Sequence, residues 1–168
     1  MKKLLTIAIF ILICFSLAAC APQKIVPPKS GPTAQLHVNA INLAKRGIFK
    51  AEAVWVSLYN QDESWGAQPI LVDDHPADSY IIPAGEKLKF SLRLQQGGPG
   101  YDGGCFVGLE LTAEENSNLS AEFSINRIPG AEAASGCKLK LSNNGKLVGE
   151  YDGKPQLTFY KVKVISVP

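Results

Sequence analysis

Lys87-Leu88-Lys89-Phe90-Ser91-Leu92-Arg93-Leu94 is the stretch that decides the fold class. Apolar side chains alternate with polar ones along its whole length, a period of two that fits a half-buried β-strand. One face of such a strand meets a core and the other meets water. Downstream the same alternation returns twice. Leu119, Ala121, Phe123 and Ile125 alternate with Ser120, Glu122, Ser124 and Asn126, and Cys137, Leu139 and Leu141 alternate with Lys138, Lys140 and Ser142. Less regular apolar runs at Leu36–Ile41, Ala53–Tyr59, Ile70–Val72, Tyr80–Ile82, Cys105–Leu111 and Leu157–Val167 read as further strands. Turn chemistry stands between them at Pro83-Ala84-Gly85, Ile128-Pro129-Gly130 and Asn143-Asn144-Gly145. Only Asn39–Lys50 and Ala131–Ala134 show weak helical patterning. This pattern predicts an all-β domain, a two-sheet antiparallel sandwich of immunoglobulin-like or transthyretin-like kind, with a small closed β-barrel as the alternative.

The N-terminus carries a different signal. Lys2 and Lys3 precede an uncharged run from Leu4 to Ala19. That run is short for a transmembrane helix of about 20 residues, and it has the layout of a secretory signal. It ends in Leu17-Ala18-Ala19-Cys20, which resembles the lipobox of bacterial lipoproteins. The resemblance implies that residues 1–19 are a signal peptide and that Cys20 becomes the acylated first residue, anchoring the chain to a membrane. Cys14 would leave with the peptide. Ala21 in place of Asp implies, by the same resemblance, sorting to the outer membrane, on its periplasmic face or at the cell surface, with the inner membrane as the alternative. Without Lys2 and Lys3 the basic residues fall from 17 to fifteen, equal to the 15 acidic ones. A neutral domain lacks the electrostatic footprint that nucleic acid requires.

After Cys20 comes APQKIVPPKSGPTA, whose prolines favour an extended, semi-rigid spacer, so residues 20–34 read as a lipidated tether. Residues 35–168 then form one domain with no composition break. With Ile82-Pro83-Ala84-Gly85 before an alternating strand and two spaced cysteines, it resembles small β-sandwich lipoproteins of bacterial envelopes. That likeness implies fold and no particular activity.

Cys105 and Cys137 remain as a pair in an oxidising compartment, where a disulfide is expected. Each shares parity with the inward residues of its strand, Val107, Leu109 and Leu111 for one, Leu139 and Leu141 for the other. In a simple three-strand meander the outer strands would stand about 9.6 Å apart, beyond the roughly 4.4–6.8 Å that a disulfide spans between Cα atoms. Either the bond crosses between the sheets, or Gly103-Gly104 and Gly136 let the strand starts lean together.

Several motifs invite a functional reading. Gly98-Pro99-Gly100-Tyr101-Asp102-Gly103 matches GxGxxG, yet a dinucleotide site needs a helix after it and here a strand follows. The segment reads instead as a flexible connecting loop, with Gly98, Gly100 and Tyr101 as possible partner contacts. Asp73-Asp74-His75-Pro76-Ala77-Asp78 lacks the ordered spacing of a calcium loop and reads as a solvated turn, so no metal and no cofactor is expected. Trp65, in a polar loop, reads as a cap on the end of its own sandwich, with an aromatic anchor for a partner or sugar as the alternative. Lys87, Lys89, Arg93, Lys138, Lys140, Lys161 and Lys163 fall on outward faces, where lysines protect strand edges. There is no GxSxG, no HExxH and no free thiol to act as nucleophile, so no catalytic residue is expected. The expectation is a non-catalytic binding or assembly module whose partner is an envelope protein, with contacts gathered at one end of the sandwich. The alternative is a glycan binder or an inhibitor of a wall-degrading enzyme, with a hydrolase third. For the anchor, Cys20→Ser is expected to abolish incorporation of a fatty-acid probe in growing cells, measured by metabolic labelling.

Overall fold

The computed structural model describes residues 25–63, 65–99, 101–131, 133–153 and 159–161. Eleven strands are present among them: β1 Thr33–Ile41, β2 Ala51–Asn60, β3 Gly66–Ala67, β4 Ile70–Leu71, β5 Ala77–Pro83, β6 Lys87–Gly98, β7 Tyr101–Thr112, β8 Asn118–Arg127, β9 Ala134–Asn143, β10 Lys146–Asp152 and β11 Phe159–Lys161. They form two sheets, ordered β10-β9-β8-β1-β5 and β11-β7-β6-β2-β3, with β4 also paired to β2. Both sheets are open at their edges, so the molecule is a sandwich and the barrel alternative is set aside. Pairing is antiparallel except for β1 with β8 and β11 with β7, which run parallel.

β6, the deciding stretch, pairs along its length with β2 on one side and β7 on the other. Val54 lies opposite Leu94, Leu58 opposite Phe90, and Leu92 opposite Val107. The inward row therefore continues across all three strands, and Phe90, Leu92 and Leu94 are fully buried. Facing it, Leu36, Val38, Leu119, Phe123, Leu139 and Leu141 from the other sheet complete one continuous core. The expected turns sit where the strands need them. Asn144 and Gly145 both take positive φ, the conformation that joins two strands through a two-residue turn, here β9 and β10. Gly85 and Gly130 adopt the same left-handed region between β5 and β6 and between β8 and β9.

In four places the chain departs from the sequence reading. The stretch Asn39–Lys50 holds no helix: β1 runs on to Ile41, Asn42 takes positive φ, and an irregular loop follows to a bridge between Gly47 and Lys50. Nor is there helix in the described residues of Ala131–Ala134, and Ala134 already belongs to β9. The glycine-rich segment is no flexible loop in its described residues, because β6 and β7 stay paired out to Gly98 opposite Tyr101. One of its glycines serves a close approach: a Cβ on Gly104 would run into the Leu94 carbonyl oxygen. β10 was hidden from a period-two reading, since a bulge between Leu147 and Gly149 breaks its alternation.

The strands define two ends. One, the proximal end, holds Thr33, Asn60, Lys87, Thr112 and Asn118, and the distal end holds Ile41, Ala51, the Gly98–Tyr101 reversal, Arg127 and Ala134. Residues 25–32 cross the proximal end. Ile25 packs against the core, Val26 offers its carbonyl to the Trp65 indole N–H at 3.0 Å, and Pro32 accepts from the Ala84 N–H. Ten residues read as spacer thus lie against the domain from Ile25 onward, because they carry an apolar side chain and unpaired carbonyls that the proximal end can satisfy.

Cys105 on β7 and Cys137 on β9 form a disulfide, with Cα atoms 6.0 Å apart. It crosses between the sheets, which resolves the geometric choice left open by the sequence. Gly153 then passes directly over it: its N–H donates to the Cys137 carbonyl at 2.7 Å, and a Cβ there would strike both sulfur atoms. Closing a loop of 32 residues constrains the unfolded chain by roughly 3–4 kcal/mol. Cys105→Ser combined with Cys137→Ser should lower unfolding stability by about that amount in denaturant titration, the same loss that reduction produces in the parent chain.

Candidate functional site at the distal end

The alternation that builds the core does not stop where the apolar residues stop. Glu52 shares the parity of Val54, Val56 and Leu58 on β2, and Gln96 shares that of Leu92 and Leu94 on β6. The two lie opposite each other in the ladder. Register alone therefore turns a carboxylate and an amide inward at the distal end of the sandwich. Glu52 is only 5% exposed, and it is the one buried charged residue among those described.

A buried carboxylate is costly unless it is paired and hydrogen-bonded. Arg127, at the last position of β8, answers the charge: its Nη2 donates to Glu52 Oε1 at 2.6 Å and also reaches Oε2. Ala44 donates its backbone N–H to Glu52 Oε2, and the same Arg127 nitrogen donates to the Asn42 carbonyl at 3.3 Å. Gln96 Oε1 accepts the Ala134 N–H at 2.9 Å. Three connections from distant parts of the chain, residues 42–50, the β6 tail and the β8–β9 turn, are tied to one polar cluster. Above it lies a cleft of about 190 Å³ lined by Ala44, Lys45, Lys50, Glu52, Gln96 and Arg127 among others.

A second set of bonds braces the same loop from outside. Arg46 Nε donates to Asp73 Oδ1 at 2.7 Å, its backbone N–H donates to Asp73 Oδ2 at 3.2 Å, and its Nη2 donates to Asp74 Oδ1 at 2.9 Å. The turn read as solvated is therefore held by an arginine. The Arg46 backbone N–H and then its guanidinium hold the Asp73 carboxyl below the usual range, and the His75 hydrogen bond is the first cause of the same shift at Asp74. A depressed carboxyl contributes its stabilisation above the ordinary value of about 3.9 and loses it as the pH falls through the lower folded value. The brace is thus intact at neutral pH. Among the described residues no cluster of three potential metal ligands is present.

From this doubly pinned stem projects the turn Gly47-Ile48-Phe49-Lys50, closed by the Gly47 N–H to the Lys50 carbonyl at 3.0 Å and the reverse bond at 3.3 Å. Ile48 is 94% exposed and Phe49 is 76% exposed. Ile128, on the β8–β9 turn at the same end, is also exposed. The distal end thus presents an apolar tip on a braced stem, with Lys45 and Lys50 beside it.

The residues singled out in the sequence do not assemble here. Trp65 lies at the proximal end, half-buried against the core, with its indole N–H committed to Val26. Gly98 and Tyr101 lie at the distal end, where they pair with each other. The two stretches expected to share one contact surface are thus separated by the length of β2, because Trp65 follows the end of that strand and the glycine reversal faces its beginning. Cys20, Gly100 and Lys163 lie outside the described residues. The outward lysines divide between the two sheets, Lys87 and Lys89 on one and Lys138 and Lys140 on the other, and Lys138 is paired with Glu150 at 3.4 Å. Glu52, Arg127, Ile48 and Phe49 were missed. Glu52 on core parity was a legible signal, as was an adjacent apolar pair within the basic stretch Lys45–Lys50. Comparison of the chain with protein-family models, with curated proteins and with solved structures finds no match.

Arg127→Met should destabilise the domain by about 3 kcal/mol, because it leaves the Glu52 carboxylate buried without its counter-charge. Adding Glu52→Leu to Arg127→Met should recover most of that loss, so a double-mutant cycle by denaturant unfolding should return a coupling well above 1 kcal/mol.

Proposed function

We propose that this chain is a membrane-anchored, non-catalytic binding module of the bacterial envelope, and that its contact surface is the distal loop end centred on Ile48 and Phe49. The observation that carries this reading is the exposure of two adjacent large apolar residues on a stem that is pinned twice. Exposed apolar side chains cost solubility, and a braced loop has already lost the conformational freedom that binding would otherwise take away. Loop ends are also where scaffold domains place their contacts.

Geometry favours a protein partner over the chain's own bilayer. Ile25 sits at the proximal end, and five residues from Cys20 span at most about 18 Å. β2 alone, ten residues long, carries the sandwich roughly 33 Å further to the distal end. An anchor at Cys20 therefore leaves the Ile48–Phe49 tip facing away from the membrane. Lys45 and Lys50 flank the tip, so the complementary surface is an apolar pocket with an acidic rim. The Glu52 carboxylate supports a structural reading, since Arg127 neutralises it.

A photo-crosslinking phenylalanine at position 49, introduced into intact cells, tests the reading. The expected product is one discrete envelope-protein adduct that disappears when Ile48→Ser is added and is absent with the probe at Ser142. Lipid adducts alone, or adducts identical to those of the Ser142 control, would overturn it.

A further inference from the structure

The outer face of the β7-β6-β2 sheet carries a second feature, unrelated to the distal tip. Three rows of outward side chains cross it. Trp55, Arg93 and Phe106 are direct cross-strand neighbours, and so are Ser57, Ser91 and Gly108, and then Tyr59, Lys89 and Glu110. The middle row is small and the rows on either side are large. Flanking rows four residues apart stand about 13 Å from each other. The result is a trench running across the strands, with Ser57 and Ser91 on its floor and the Trp55 indole, the Arg93 guanidinium and the Phe106 ring along one wall. Ser91 is buried although it faces outward, as a trench floor requires. Its volume is about 340 Å³.

The lining is specific in its chemistry. Trp55, half-exposed, is fixed in orientation by its Nε1–H, which donates to Gln95 Oε1 at 3.1 Å. Gln68, at the edge of the trench, donates from Nε2 to Ser57 Oγ at 3.4 Å. Gln68 and Gln95 therefore each retain amide groups for a ligand, and the Ser57 and Ser91 hydroxyls add donors and acceptors on the floor. Among the described residues that line it, Arg93, exposed, is the one that is charged, and Lys89 and Glu110 of the far row stay outside that lining. A flat apolar ring face beside amides and hydroxyls matches the two faces of a sugar, the C–H side and the hydroxyl edge. A single guanidinium with no carboxylate beside it in that lining matches a sugar acid, which it can hold through paired hydrogen bonds.

We propose that this trench is a binding site for an oligosaccharide carrying carboxylate groups, with Trp55 as the stacking platform and Arg93 as the partner of the sugar acid. The site is independent of the Ile48–Phe49 tip, which lies on the distal loops and contributes nothing to the lining.

Calorimetric titration of the whole folded domain tests the assignment, with three probes: oligogalacturonate, its fully methyl-esterified form, and amidase-stripped wall glycan strands with free lactyl carboxylates. The expected result is saturable binding of at least one acidic probe and binding at least tenfold weaker for the ester. Trp55→Ala should abolish the binding and Arg93→Gln should weaken it tenfold or more, both with the thermal midpoint and the crosslink from position 49 unchanged. Ser91→Leu, which fills the floor, gives a second route to the same loss should Trp55→Ala fold poorly. No saturable binding of any acidic probe, equal binding of the ester, or full binding by Arg93→Gln would each overturn the proposal.

Discussion

The inward row Leu88, Phe90, Leu92 and Leu94 is the part of the molecule on which the rest depends. β6 is paired on both sides, so its register fixes that of β2 and β7 together. A slip of one residue would turn every one of these side chains to water. Because that cost is prohibitive, the positions that carry no core residue are fixed just as firmly. Glu52 and Gln96 must point inward and Trp55, Ser57, Ser91 and Arg93 must point outward. The polar cluster under the distal loops and the trench across the outer face are both consequences of one hydrophobic register.

The distal end shows how a local conflict is turned into organisation. An ionised carboxylate among apolar neighbours needs a counter-charge and several donors. Arg127 and the Ala44 N–H supply them, and each comes from a segment with no regular structure beyond it. Such a pair contributes little net stability compared with an apolar pair of the same volume. What it provides is position, since Asn42, Ala44 and the β8–β9 turn have one arrangement that satisfies the charge. Arg46 repeats the device on the outside, at Asp73 and Asp74.

Half-buried strands were legible in the sequence because burial on one face writes itself as alternation, as in Leu119–Ile125 and Cys137–Leu141. The turn at Asn144-Gly145 was legible because two consecutive positive φ angles have few chemical solutions. The contact surface was less so. Trp65 and the glycine-rich segment look alike as loop material, and only the pairing of β6 with β7 reveals that the latter is strand and that the two lie at opposite ends. Glu52 could be seen to break the apolar row, but Arg127 lies 75 residues away and nothing local announces it. The disulfide's partners were evident from their count and parity, whereas its course between the sheets depended on β8 leaving the sheet of β7.

The parallel pair of β1 and β8 carries a consequence for how the chain reaches this state. β1 sits inside its sheet, between β5 and β8, although it is the earliest strand described. A chain delivered N-terminus first presents Leu36 and Val38 long before either neighbour exists. Its antiparallel neighbour begins at Ala77 and its parallel one only at Asn118. Until then β1 is an amphipathic ribbon with two open edges, the form most prone to pair with another copy of itself. Closure of this sheet is thus a late, long-range event, and folding should be slow for a domain of this size. Retention of the emerging N-terminal third by a holdase, rather than any feature of the finished sandwich, would then set the yield of native protein.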